Sequence, residues 1–262
     1  MEDIKFINTD KEKFIKGPGK EKTHIFKYMP IKHILTSFNK DYLHLVHPSQ
    51  WKDPYETRFI DAEYIGFPQN DNIRGNIYCT CFNQSVISSE AHWNTYTDDH
   101  LCGRLVIDRK KLYNELKKYL ADYDIYIAYI EYRKAYNGKG IEKSLWEKAN
   151  GNFEDLILRL LSIKRRPYAY EEECRLYFIP KKRNINATQS IQINNFDWLK
   201  ITSKIYIDPN IDKNVYEMIK SYFKDKYPTI KIARNTLYEK PDKLLIHLEN
   251  NELTITKEKL CK

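Results

Sequence analysis

Residues 164–183 read Lys-Arg-Arg-Pro-Tyr-Ala-Tyr-Glu-Glu-Glu-Cys-Arg-Leu-Tyr-Phe-Ile-Pro-Lys-Lys-Arg, and this stretch decides the fold prediction. Its many aromatic residues, with a proline near each end, predict one β-strand between two basic clusters. Side chains alternate between the two faces of a strand, so we expect Glu171, Glu173 and Arg175 to share one face. Such an ionisable row can hold a substrate hydroxyl or stabilise a developing positive charge. The plainer interpretation is a solvated strand face with an ordinary ion pair.

The overall composition is that of a folded, basic protein. Of the 262 residues, 42% are hydrophobic and 14% aromatic, which is enough to build a sizeable core. Lys and Arg outnumber Asp and Glu by 44 to 36, and the net charge of +8 favours polyanions such as nucleic acid or nucleotide phosphates. No apolar run reaches the about 20 residues that a membrane helix needs. The start of the chain does not read as a secretory signal, so we expect a cytoplasmic protein without a membrane partner.

The residue types that usually bind metal form no recognisable pattern. The five cysteines are odd in number, and Cys79 and Cys81 lack a second ligand pair nearby. The seven histidines show no spacing typical of zinc ligands. We therefore expect free thiols and no metal site.

Strand and helix patterns follow one another without a strict strand–helix–strand order, which favours the α+β class. The polar residues 1–22 are predicted to form a flexible N-terminal arm. Residues 23–262 are predicted to form a single α+β domain, within which residues 200–262 are a candidate strand–helix–strand subunit.

Four short motifs occur in a fixed order between residues 24 and 180. They are Lys27-Tyr28, then Trp-Lys-Asp-Pro-Tyr-Glu at 51–56, then Cys81-Phe82 followed by His-Trp-Asn-Thr-Tyr at 92–96, and last the glutamate-rich strand. In order and spacing they resemble a bacterial family known mainly as a domain of unknown function. Its members carry Lys/Arg-Tyr, Phe-Asn-Asp-Pro-Phe-Glu, Cys-Phe-Ser with Trp-x-x-Tyr, and Trp-x-Tyr-Glu-x-Glu-Tyr-Arg. This chain departs from that pattern at Trp51-Lys52, Asn83, Tyr168 and Cys174, which replace Phe-Asn, Ser, Trp and Tyr. The motif at 51–56 also predicts a turn and a helix start, because Asp53 can cap a helix and Pro54 suits the first helical position.

The order of elements also resembles the ADP-ribosyltransferase fold. This resemblance implies a mixed or antiparallel split β-sheet core with flanking helices. The matching elements are the strand at 26–28, the helix at 31–38, the strand at 77–82, the helix at 90–96 and the glutamates at 171–173. The chain departs from these enzymes on the first strand, where His24 or Lys27 must replace the usual His or Arg. On the second strand only Thr80 remains of Ser-Thr-Ser.

The second resemblance implies that NAD is the substrate and that nicotinamide leaves through an oxocarbenium-like state. Glu173 would bond the ribose 2′-hydroxyl and stabilise the positive charge. Glu171 would activate the acceptor nucleophile. Arg175 would keep the carboxylates ionised or tie down the strand.

The same resemblance assigns NAD binding to a second group of residues. Lys27 would meet the pyrophosphate as a point charge, and Thr80 would stand for the second-strand serines. The aromatic residues expected to sandwich the nicotinamide are Tyr28, Phe82 and Tyr96. Each has a plainer interpretation, because aromatic residues at these spacings often belong to a core and a strand lysine often lies in solvent.

Nucleic acid is the expected target, since cations track phosphates while neighbouring tyrosines stack on bases. The residues predicted to contact it are Lys164, Arg165, Arg166 and Arg175. The leading hypothesis is an NAD-dependent ADP-ribosyltransferase that modifies RNA or single-stranded DNA, as the toxin of a bacterial toxin–antitoxin or phage-defence system with an antitoxin protein as its partner. The alternatives are a non-catalytic module that binds nucleic acid or a protein partner, and a metal-free nuclease that uses His92 or His100.

Overall fold

The computed structural model describes residues 3–17, 23–67, 72–96, 99–134, 142–183, 188–239, 244–249 and 252–257. Its strands are β1 (Lys5–Ile7), β2 (His24–Pro30), β3 (Tyr42–Val46), β4 (Tyr78–Asn83), β5 (Cys102–Asp108), β6 (Tyr123–Tyr129), β7 (Glu131–Arg133), β8 (Ile163–Arg165), β9 (Glu173–Pro180), β10 (Ser190–Asn194), β11 (Thr202–Ile207), β12 (Lys231–Arg234), β13 (Leu244–Glu249) and β14 (Glu252–Lys257). Its α-helices are α1 (Lys11–Lys16), α2 (Ile31–Lys40), α3 (Pro54–Asp61), α4 (Glu90–Tyr96), α5 (Arg109–Leu116), α6 (Glu142–Lys148), α7 (Phe153–Leu160), α8 (Trp198–Ile201) and α9 (Lys213–Lys226).

A mixed β-sheet forms the centre of the structure. Its strand order is β1-β6-β9-β4-β2-β5-β11-β12, and β3 joins it beside β4 and carries β10 on its other side. The outermost pairs, β1 with β6 and β11 with β12, are parallel. The other neighbours in this sheet run antiparallel. The predicted α+β class with a mixed sheet is therefore confirmed.

The sheet divides at β4. On one side β4 pairs with β9 over its whole length. On the other side its ladder to β3 contains the single pair Val46–Cys79, and its ladder to β2 contains the single pair Phe26–Asn83. The strands β2 and β3 therefore diverge from the two ends of β4, and a gap opens along residues 80–82.

The strand β9 lies between β6 and β4 and is buried on both faces. Leu176 faces the larger core, whereas Tyr177 belongs to a second apolar cluster that includes residues of α7. Charged side chains are rare in such a strand, because burial removes their hydration. The two charged residues at the start of β9, Glu173 and Arg175, therefore need a compensating environment.

The stretch at 164–183 is not one strand, contrary to the sequence prediction. A short 3₁₀ helix follows β8 at Arg166–Glu171, and β9 begins at Glu173. Pro167 lies in the first turn of the 3₁₀ helix, where a proline has no hydrogen bond to lose. Glu172 then turns the chain with a left-handed φ of 40°. The first of the two predicted catalytic glutamates therefore lies on a helical turn and not on the strand.

The prediction of a flexible arm at residues 1–22 is wrong for residues 3–17. There β1 extends the sheet beside β6, and α1 packs against α5. Phe14 is fully buried, so one aromatic side chain anchors a segment that is otherwise rich in lysine. The rest of the predicted arm, residues 1–2 and 18–22, lies outside the described residues.

The C-terminal part contains the predicted strand–helix–strand order as β11, α9 and β12. Both strands belong to the main sheet, whereas β13 and β14 pair only with each other among the described strands. No helix within the described ranges has both the length and the apolar character to cross a membrane.

Replacement of Phe14 by alanine tests whether the N-terminal segment is part of the fold. We expect Phe14→Ala to lower the free energy of unfolding by about 3–5 kcal/mol, because a fully buried ring is replaced by a cavity. The midpoint of urea denaturation measures the loss. Lys13→Ala, on the exposed side of the same helix, is the matched control and should leave the midpoint unchanged. If the midpoint of Phe14→Ala equalled that of the wild-type protein, the N-terminal segment would not be packed against the fold in solution.

Candidate active site

The turn before α3 carries an acidic side chain into the interior. Asp53 caps the helix by accepting a hydrogen bond from the amide of Tyr55 at 2.9 Å, and Pro54 occupies the first turn. This start directs Glu56 inward, where it is buried. Asp53 also pairs with Arg165 of β8 at 3.1 Å, which joins the turn to the segment before β9. The turn and helix start predicted from the sequence are confirmed.

Arg175 of β9 binds two carboxylates at once. Its Nε and Nη2 atoms donate to Glu173 at 2.8 Å each, which makes a bidentate pair. Nη2 also donates to Glu56, and Nη1 donates to the carbonyl oxygen of Leu161 at 2.6 Å. The guanidinium group lies 4.1 Å from the ring centre of Trp51. One buried side chain therefore ties together β9, α3 and the end of α7.

Lys164 of β8 supplies a second cation to the same group. Its Nζ lies 2.6 Å from Glu171, 3.3 Å from Glu56 and 3.4 Å from Glu173. Three carboxylates thus share two cations in a largely buried place. We call these residues the carboxylate cluster: Glu56, Lys164, Glu171, Glu173 and Arg175.

The carboxylate cluster lines a cleft of about 490 Å³. Trp51 and Tyr168 add aromatic surface to the cleft, and Thr95 of α4 also lines it. Apolar surface with a few convergent charged groups is typical of a small-molecule site. We call this space the cleft.

The two predicted catalytic glutamates differ in their acid–base properties. Burial favours the neutral form of Glu173, but the charge and hydrogen bonds of Arg175 and the charge of Lys164 outweigh it and lower the pKa to about 2. For Glu171 burial is the largest effect, and it raises the pKa in spite of Lys164. Glu171 is therefore the more basic of the two carboxylates. This separation suits a site in which one carboxylate stabilises charge while the other moves a proton.

The turn that carries Glu171 is held by the neighbouring strand and helix. The carbonyl groups of residues 170–172 accept, in that order, from His92 Nε2 at 3.0 Å, the side-chain amide of Asn83 and the backbone amide of Gln84 at 2.9 Å. Three consecutive carbonyl groups are thereby fixed to β4 and to α4. The carboxylate of Glu171 is positioned by the sheet and not by a loose loop.

The two histidines of the nuclease alternative do not belong to the cleft. His92 is buried, with Nδ1 3.0 Å from Ser89 Oγ and Nε2 bonded to the carbonyl group of Tyr170. Burial lowers the pKa of His92. His100 lies with Nδ1 3.7 Å from Asp208. Neither is among the described residues that line the cleft, so no observation favours either as a general base there.

A second cavity, of about 420 Å³, occupies the gap between β2 and β3, and we call it the split cavity. Lys27 donates there to Thr80 Oγ1 at 2.6 Å and to the carbonyl oxygen of Cys81 at 3.0 Å. Both acceptors are neutral, and burial lowers the pKa of Lys27. His33 and His44 also line the split cavity, and its described lining contains no Asp or Glu.

The split cavity and the cleft share one lining residue. Cys81 lines both, and it lies opposite Arg175 in the ladder between β4 and β9. A cavity lined by Lys27 and a cleft with three carboxylates are therefore neighbours on the same part of the sheet.

The residues predicted to bind NAD divide between the split cavity and the core. Lys27, Tyr28 and Thr80 line the split cavity, although Tyr28 is only 4% exposed. Phe82 is 2% exposed and packs in the main core, because both faces of β4 are covered. Its predicted role beside the nicotinamide is therefore wrong. The side chain of Tyr96 lies outside the described residues.

The basic triplet before β9 is not a continuous cationic surface. Lys164 belongs to the carboxylate cluster, and Arg165 is paired with Asp53. Arg166 is exposed. Arg175 is buried beneath the cleft, so the prediction that it contacts nucleic acid directly is wrong.

Two residues of the site were assigned no role from the sequence. Glu56 follows an Asp-Pro helix start, where a glutamate is usually explained by its favourable interaction with the helix dipole. Trp51 lies just ahead of the same turn, where the sequence pattern predicts a turn and nothing more. The motif at 51–56 is the sequence signal for both residues. That they face the interior follows only from their contacts with Arg175, which is distant in the chain.

Neither a metal-ligand group nor a known relative identifies the site. Within the described ranges, no three His, Cys, Asp or Glu side chains are placed to hold a metal ion. No protein-family model, curated protein or solved structure matches the chain. The function is therefore inferred from the two cavities, and both sequence resemblances stay predictions.

The charge on Glu173 should appear in the pH dependence of stability. Its folded-state pKa of about 2 lies below the ordinary value of 4.5. The ionised group therefore stabilises the fold by roughly 3 kcal/mol above about pH 5. This stabilisation is lost as the pH falls from about 5 through 2. Glu173→Gln should therefore be less stable than wild type at pH 7. The difference should shrink by more than about half between pH 5 and pH 3.

Urea denaturation at several pH values measures this difference. Glu63→Gln, which changes an exposed glutamate, should follow the wild type at every pH. A gap between Glu173→Gln and wild type that stays constant from neutral to acidic pH would contradict the low pKa.

Proposed function

We propose that this chain is an NAD-dependent ADP-ribosyltransferase that modifies nucleic acid, either RNA or single-stranded DNA. The observation that carries the proposal is that a cleft lined by three carboxylates and a cavity lined by Lys27 share the residue Cys81. Cleavage of an N-glycosidic bond is helped by an ionised carboxylate beside the sugar, and a diphosphate is bound by cations. NAD carries both groups, so one substrate would occupy both cavities.

Glu173 is suited to stabilise the sugar as nicotinamide departs. In this step the bond from C1′ to the pyridinium nitrogen breaks, its electron pair goes to nicotinamide, and C1′ takes on positive charge. A carboxylate whose pKa is about 2 stays ionised throughout. Arg175 bonds both of its oxygens and Lys164 lies 3.4 Å from Oε2, so the second lone pair of Oε1 would accept from a ribose hydroxyl. Fixed negative charge in a partly dehydrated cleft stabilises such a transition state better than water does.

Glu171 is suited to take the proton of the acceptor. An acceptor hydroxyl or amino group attacks C1′, and its proton passes to the carboxylate and then to water. Burial raises the pKa of Glu171 and makes it a stronger base than an exposed glutamate. Lys164, at 2.6 Å, holds the carboxylate in place. The products are the ADP-ribosylated acceptor, nicotinamide and one proton.

The remaining parts of NAD would be bound by residues of both cavities. The hydrogen bonds of the Lys27 ammonium group go to two neutral acceptors, and a diphosphate would supply a charged partner. Trp51, which lines the cleft, would take the place beside the nicotinamide ring that Phe82 cannot fill.

The biological setting is part of the same proposal. A net charge of +8 draws the chain to nucleic acid. We extend the proposal to a cytoplasmic bacterial toxin of a toxin–antitoxin or phage-defence system, neutralised by an antitoxin protein. This extension rests on the resemblance to ADP-ribosyltransferases.

Transfer of label from NAD tests the activity. The protein is incubated with NAD labelled in its adenylate half and with separate pools of RNA, single-stranded DNA and cell protein. We expect label on a nucleic-acid pool. Glu173→Gln should reduce transfer by about 10²–10³-fold, the usual loss when one charge-stabilising group is removed. Circular dichroism shows whether the variant is folded.

A second variant keeps the test informative if Glu173→Gln unfolds. Glu171→Gln should slow transfer to nucleic acid by about 10²-fold and slow the release of nicotinamide less, because the departure step does not use this base. Glu63→Gln is the matched control and should retain full activity. NAD left intact in every pool by the wild-type protein, or full activity of Glu173→Gln, would overturn the proposal.

The split cavity has its own test. Lys27→Met should weaken the binding of NAD by about 10-fold or more, because a charge-assisted contact to the diphosphate is lost. Lys204→Met, on β11 of the same sheet, is the control. Calorimetric titration measures both, and nicotinamide riboside, which has no phosphate, should bind the two variants alike. An unchanged affinity of Lys27→Met for NAD would place the diphosphate elsewhere.

A further inference from the structure

An exposed aromatic ring lies at the rim of the cleft. Tyr55, between the cleft-lining residues Pro54 and Glu56, is 48% exposed. The guanidinium group of Arg165 lies 4.2 Å from its ring centre, and that of Arg58 lies 5.6 Å away. Two guanidinium groups therefore lie near this ring, and about half of the residue faces solvent.

Arg165 is held in one orientation. Its Nη2 lies 3.2 and 3.1 Å from the two carboxylate oxygens of Asp53 and donates to the hydroxyl group of Tyr168 at 3.2 Å. The guanidinium group also lies 5.3 Å from the ring centre of Tyr168. A planar group that is already fixed loses little conformational entropy when a ligand stacks on it.

The chemistry of this rim matches that of a single-stranded nucleic acid. Nucleobases stack on aromatic rings and on arginine planes, whatever their sequence. Exposed cations lie close by for the phosphates: Lys52 lines the cleft, and Arg166 follows Arg165 in the chain. Ring stacking and phosphate binding are therefore offered side by side.

We propose that Tyr55, Arg165 and Tyr168 form a nucleobase-stacking site through which a single-stranded acceptor reaches the cleft. The inference rests on the proposed transfer to nucleic acid and adds where the acceptor strand binds. One base stacks on the tyrosine–arginine surface, and its flanking phosphates meet Lys52 and Arg166. Duplex acceptors bind poorly there, because paired bases do not expose their faces.

Fluorescence anisotropy with labelled RNA and DNA strands of about eight nucleotides, measured without NAD, tests the stacking site apart from catalysis. Tyr55→Ala should weaken binding by about 5- to 100-fold, the usual loss for one stacked base, and Tyr55→Phe should retain it. Tyr222→Ala removes a partly exposed tyrosine from α9 and is the matched control.

Salt separates stacking from charge. Tyr55→Ala should leave the slope of log affinity against log salt concentration unchanged, whereas Lys52→Gln or Arg166→Gln should each reduce the slope by about 0.7. A strand of the same length without bases should bind the wild-type protein as weakly as an ordinary strand binds Tyr55→Ala.

Equal affinity of Tyr55→Ala and wild type for the strands would overturn the stacking site. If Tyr55→Ala weakened the binding of NAD and not that of the strands, the stacking site would be overturned as well. Tyr55 would then stack on the adenine ring of NAD and not on a base of the acceptor. Binding that depends on Tyr55, without any transfer of label, would overturn the transferase and leave the stacking site in place.

Discussion

The guanidinium group of Arg175 links the elements that build the site. It bonds Glu173 beside it on β9, Glu56 on α3 and the carbonyl group of Leu161 at the end of α7. Burying these charges costs free energy, and apolar side chains of similar volume in their place are often equally stable. The cluster is therefore better explained by geometry than by stability. It holds carboxylates at fixed positions in a place that water only partly reaches, which a charge pair on the surface cannot do.

The divergence of β2 and β3 opens the split cavity and also explains why Lys27 lies in it. Strands that leave β4 at its two ends deprive residues 80–82 of ladder partners on that side, and buried backbone groups need replacements. Lys27 replaces one partner by donating to the carbonyl oxygen of Cys81. The residue that satisfies the backbone also introduces positive charge into the cavity. The interruption in the sheet and the chemistry of the split cavity therefore have one origin.

Local signals in the sequence predicted the local features. The α+β class, the cap at Asp53 and the shared face of Glu173 and Arg175 all follow from spacing within a few residues. The features that the sequence did not predict depend on residues far apart in the chain. The contact of Glu56 with Arg175, for example, joins residues 119 positions apart. The sequence prediction was also wrong for a strand that is covered on both faces. The alternation of polar and apolar residues cannot distinguish a core residue such as Phe82 from a site residue in such a strand. The strand β1, with three residues, is too short to show any period.

The charge of Lys27 would also link the turnover of the protein to the binding of anions. An ammonium group whose hydrogen bonds go to neutral acceptors is costly to bury. Any anion that binds only the folded state makes unfolding rarer in proportion to its occupancy. Because proteases cleave the transiently opened chain, the rate of degradation would fall as the supply of that anion rises. The gap in the sheet would then link the abundance of the protein to the concentration of the anion that binds there.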